Sequence, residues 1–174
     1  MLPGMPGDLQ VGAMVSIIEN KNEFYAWLSF MRRYFLVIAL GNLVWEALHM
    51  PLYTIWYEGT WKQILFAVLH CTGGDILIAL ASLMLALVVV GNNCWPHKGY
   101  RAVAIWAIVF GLAYTVYSEW LNVYWRESWA YADQMPVLPF FASFEIGLTP
   151  LLQWLVIPLA SFWWARGRMN KDHA

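Results

Sequence analysis

The sequence predicts an all-α, polytopic membrane protein: a four-transmembrane-helix bundle with both termini cytoplasmic. Three observations lead there. Of the 174 residues, 61% are hydrophobic and only 12% charged, about half the charged share of a soluble domain. Four segments are apolar over the roughly 20 residues that a spanning helix needs. Eight of the ten lysines and arginines, all but Lys62 and Arg126, fall on one side of those segments, the side that the positive-inside rule makes cytoplasmic.

Residues 1–174 read as a single membrane domain with no internal repeat. The N-terminal segment, residues 1–33, lacks a basic region before an apolar core and a small-residue cleavage site, so no cleaved signal peptide is expected. Asn22 can cap a short amphipathic helix over "NEFYAWLSFMRRY" lying in the interface; the other reading extends the first span backwards. The spans are expected at 34–57, 63–91, 101–123 and 136–165. Gly91, Asn92, Asn93 and Pro96 close the second, Arg101 opens the third, and Pro136 opens the fourth. The two non-cytoplasmic loops, "YTIWYEGTW" and "NVYWRESWAYADQ", supply a dense aromatic belt. Cys71 in a span and Cys94 in a loop read as free thiols. The expected location is a bacterial cytoplasmic (inner) membrane. The lipid bilayer is the first partner, nucleic acid is not one, and a homo-oligomer or a larger membrane complex stays open.

The chemistry begins with "GNLVWEALHMPLYTIW", an apolar run that nevertheless carries Glu46, His49 and Pro51. Each span holds one carboxylate: Glu46, Asp75, Glu119 and Glu145. The basic groups at depth are His49 and His70 alone. A carboxylate there is costly unless it is protonated, paired, hydrated or bound to a cation. Helical spacing gives each span one polar stripe: Asn42, Glu46, His49 and Tyr53; His70 with Asp75; Thr115, Glu119 and Asn122; Glu145, Thr149 and Gln153. In lipid such stripes turn inward and meet. At about 1.5 Å per residue, Glu46, His49, His70, Asp75 and Glu145 lie roughly 11 to 18 Å in from the non-cytoplasmic end, with Glu119 nearer the mouth. The other half, with "LIALASLMLALVVV" and "RAVAIWAIVF", is nearly pure hydrocarbon and reads as a seal.

Three readings compete. The groups are interhelical hydrogen-bond glue, with Gly73, Gly74 and Gly111 allowing close backbone approach. Or Glu46-x-x-His49, with His70, Asp75 and Glu119, holds a metal, as in carboxylate-bridged bundles, or His49 and His70 clamp a haem. Or the cluster is the pocket of an acid/base enzyme or receptor for a lipid-like hydrophobic molecule. In that case Glu46 and His49 are a coupled pair, Glu119 is a second carboxylate, and Asn42, Tyr53, His70, Asp75, Tyr114, Thr115, Asn122, Glu145, Thr149, Gln153 and Trp154 bind the ligand. The third reading is preferred, metal binding is the runner-up, and an accessory subunit is a further alternative. No cofactor is identified.

The succession "WEALHMPLYTIWYEGTWK", "HCTGGD", "GLAYTVYSEW" and "LLQWLVIP", over residues 40 to 160, resembles the sterol isomerase and emopamil-binding group, the EXPERA fold. The resemblance implies a helical bundle enclosing a pocket for sterols and cationic amphiphiles. It makes Glu46, His49 and Glu119 proton-transfer residues and Trp154 a cation-stabilising ring. The chain departs from the family pattern in three places. Its first helix has Glu before His, the second carries His70 and Asp75 where the family has a glutamate, and Gln153 is not at the family's Asn spacing. The family's substrate is therefore not carried over.

Overall fold

The computed structural model describes residues 6–140 and 144–169; Lys171 and both extreme termini, which enter the orientation argument, lie outside them. Four helices are long and apolar enough to cross a bilayer, with spanning portions Lys21–Leu52, Trp61–Val90, Tyr100–Trp125 and Leu148–Arg166. The chain is an integral membrane protein of the all-α class.

Helix α1 runs unbroken over Pro6–His49, so the stretch from Asn22 to Tyr34 extends the first span and forms no separate interfacial helix. Pro51 ends it: without an N–H it cannot continue the hydrogen-bond ladder. Met50–Leu52 tighten into a 3₁₀ turn and Tyr53 is extended, where the expected span continued to residue 57. A short helix, α2 (Ile55–Glu58), leads to α3 (Trp61–Val90), which opens on a reciprocal capping box between Thr60 and Gln63. Gly99, at φ 74°, takes the left-handed conformation that starts α4 (Tyr100–Glu119), and a Cβ there would meet Asn92 Nδ2 at 2.7 Å. A π-helical stretch, Trp120–Trp125, prolongs α4.

The largest departure from expectation is the start of the fourth span. Residues 136–140 and 144–147 are not helical: β1 (Val137–Phe140) and β2 (Phe144–Gly147) form an antiparallel hairpin with Val137 opposite Gly147. Helix α5 begins at Leu148 and runs to Met169. A helix from residue 136 would bury Pro139 and Pro150 in its interior, each costing about 3 kcal/mol. Starting at Leu148 puts Pro150 in the first turn, where a missing N–H costs little. Pro158 alone stays inside the helix.

Helix α1 packs against α3 and α5, and α4 packs against the same two, so chain neighbours are antiparallel neighbours around a ring. The two halves of this ring differ. At the end holding Phe30, Tyr34, Leu83, Val103 and Phe162, side chains fill the interior completely. Phe30 lies edge-on to Trp95 and Tyr100, and Tyr100 donates its hydroxyl to the Phe162 carbonyl. At the hairpin end the ring opens around a cavity, and large exposed aromatics, among them Trp61, Tyr57 and Trp125, ring the outside.

Candidate functional site

Members of all four polar stripes meet at that cavity, of about 790 Å³, which is within the range of small-molecule sites. Glu46, His49 and Tyr53 come from α1 and the turn after it, His70, Cys71 and Asp75 from α3, Tyr114, Thr115 and Glu119 from α4, Asn122 from its π-helical extension, and Gln153 and Trp154 from α5. The i, i+4, i+7 spacing of Asn42, Glu46 and His49 holds them on one face of α1. Tyr53 lies beyond the helix end yet still reaches the wall, because the extended backbone there pairs with Tyr131.

Gln153 is the hub of the floor. Its Nε2 lies 2.9 Å from each of three oxygens: Asn42 Oδ1, Glu46 Oε1 and Asp75 Oδ2. A primary amide has two N–H bonds, so one hydrogen is shared between two acceptors. The acceptors also fix the amide's orientation, since its oxygen turned this way would face three oxygens. Gln153 is 3% exposed and Glu46 5%, so the carboxylates and the amide find their partners in one another. Asn42 lies outside the cavity wall and braces it from behind, donating to the Ile38 carbonyl.

On the opposite side of Glu46, its Oε2 lies 3.1 Å from His49 Nε2. With that nitrogen donating to the carboxylate, Nδ1 is left holding a lone pair. His49 is 7% exposed and Nδ1 has no hydrogen-bond partner among the described residues. A carboxylate on one imidazole nitrogen and a buried, unpartnered lone pair on the other is the arrangement of an oriented general base.

Glu119 is held from a loop. Tyr131 donates its hydroxyl to Glu119 Oε2 and accepts from Gly147 N at 3.0 Å, tying the end of the α4 span to the hairpin. Burial first, then the neighbouring Glu119 charge, pushes the Tyr131 phenol above the usual tyrosine range. Sequence reading missed Tyr131, because in the run "WAYADQ" it reads as one more interface aromatic. It likewise passed over Phe66, Trp129, Lys62 and Arg126 as cavity residues.

Several expected placements need correction. Glu145 is on β2, exposed and outside the cavity; its backbone N–H donates to Tyr124 Oη, because the hairpin takes up the length that would have carried it into the span. Thr149, in the first turn of α5, bonds to Met135 Sδ and does not line the cavity. His70 reaches the wall but is exposed and stacked on Phe66. Gly73 and Gly74 do not serve close packing, since a Cβ at either would meet nothing within 4 Å. Gly111 does, with Trp154 Cε3 only 2.3 Å from where its Cβ would be. The metal set also changes. Glu46, His49, His70, Asp75 and Glu119 line one cavity, but among the described residues no three His, Cys, Asp or Glu side chains gather closely enough to hold an ion. His49 Nε2, needed for a haem clamp, faces Glu46 instead. Cys71 and Cys94 are free thiols.

Fold and site define a polytopic helical membrane protein with a polar cavity in one half of its spanning region. Compared with protein-family models, curated proteins and solved structures, the chain matches none of them.

Proposed function

We propose that this protein binds a lipid-like molecule in the cavity and moves a proton on it, from a bacterial cytoplasmic membrane in which both termini face the cytoplasm. The observation that carries the reading is the Glu46–His49 pair on the wall of a cavity that mixes polar side chains with aromatic and aliphatic ones, with Nδ1 of His49 unpartnered. In this mechanism the His49 imidazolium, stabilised by Glu46, gives its Nδ1 proton to a carbon–carbon double bond of the bound molecule, leaving a carbocation, and the neutral imidazole then takes a proton from a neighbouring carbon. Glu119 and the Trp154 ring face positive charge that develops on the ligand. These roles coincide with those implied by the EXPERA resemblance, and no sterol substrate is taken from it.

Gly74 offers a direct test. It lines the cavity and has open space where a side chain would start, so Gly74→Phe occupies cavity volume with no clash at its Cβ. Protein purified gently in an uncharged detergent and extracted for mass spectrometry should release a stoichiometric apolar molecule from the wild type and much less from Gly74→Phe. Equal recovery from both would place any bound lipid on the outer surface and end the proposal.

A further inference from the structure

Between Arg33 and Lys98 the only lysine or arginine is Lys62, and between Arg101 and Arg166 the only one is Arg126. Both line this cavity. Lys62 is in the first turn of α3 and Arg126 directly follows the π-helical end of α4, so both stand at the hairpin end, level with exposed Trp61 and Trp125. Among the described residues neither side chain forms an ion pair or hydrogen bond. The acids are deeper: Asp75 is 13 residues along α3 from Lys62, about 20 Å at helical rise, and Glu119 precedes Arg126 by seven residues. Among the residues that line it, the cavity is therefore long, basic at its rim and acidic at its floor, with Phe66, Ala67 and Gly74 along the α3 wall between.

From this segregation we infer that the ligand is an anionic amphiphile, whose phosphate or carboxylate head rests between Lys62 and Arg126 while its chain runs down the cavity towards Gln153. The inference rests on the lipid-like reading above and names the class of molecule. A head of negative charge gains from two unspent cations at the rim and is kept from the floor by Glu46 and Asp75, so charge fixes the direction in which the molecule enters. The same rim disfavours a cationic head.

The test uses radiolabelled lysophosphatidylglycerol and lysophosphatidylcholine of the same chain length, bound to the full chain in uncharged detergent, with inorganic phosphate as competitor. The expected result is tighter binding of the anionic lipid, reduced about fivefold by Lys62→Gln or Arg126→Gln and about tenfold or more by both together. Binding of the phosphatidylcholine lipid should be unchanged in those variants, and phosphate should not compete. Equal affinity for the two lipids, or full competition by phosphate, would overturn the inference. The two failures are separable: if both lipids bind equally but are lost in Gly74→Phe, only the anionic head is wrong, whereas binding insensitive to Gly74→Phe ends the cavity reading itself.

Discussion

Gln153 and Glu46, 107 positions apart in the chain, meet at 2.9 Å inside the bundle through an amide N–H and a carboxylate oxygen. That contact joins the first span to the last and, through the same nitrogen, both of them to Asp75 on α3. Gln153→Leu would leave two buried carboxyls and Asn42 without their shared donor. Thermal unfolding in detergent should show a loss of about 1–3 kcal/mol. Gln153→Glu should be worse, because it adds a third carboxyl to the cluster.

Gly111 and Gly73 should behave oppositely although both are helical glycines. Gly111→Ala drives a methyl into the Trp154 ring, and overpacking of this kind costs about 1–3 kcal/mol. Gly73→Ala meets open space and should leave the melting temperature level or raised. Melting curves of the two variants, collected side by side, check this.

Tyr131 makes a prediction about pH. Its phenol is held above the ordinary tyrosine range by burial and by Glu119, so the folded chain keeps that proton where the unfolded chain, with a phenol near about 10, releases it. The folded state then binds more protons than the unfolded one, and stability falls as pH rises past about 10. Tyr131→Phe should flatten that decline while lowering stability at neutral pH, where the bonds to Glu119 and Gly147 are lost. Unfolding temperature against pH for the two proteins measures both effects.

The bundle and its polar interior were legible because their signals are periodic. Stripes at helical spacing marked Glu46, His49, Asp75, Glu119 and Gln153, and depth along each helix brought Glu46 and Asp75 to one level, where Gln153 Nε2 bridges them. What escaped was set by non-periodic structure. The hairpin at 137–147 depends on where three prolines can be accommodated, and apolarity alone made "VLPFFASFEIG" read as helix. Tyr131 reaches Glu119 from a segment that pairs with Tyr53 across two loops, a contact that no local pattern encodes. Lys62 and Arg126 counted towards orientation, and their common cavity became visible only once α3 and α4 were adjacent.

The central claim, that Glu46 and His49 move a proton on a lipid-like molecule, is tested most directly by solvent isotope. The protein is reconstituted with an extracted bacterial lipid mixture in heavy water, and the lipids are then weighed by mass spectrometry. The account predicts that wild type places solvent deuterium on carbon in one lipid class, and that Glu46→Gln and His49→Ala, still folded, place almost none. Lipids that stay unlabelled with the wild type, or that label equally with all three proteins, would contradict it.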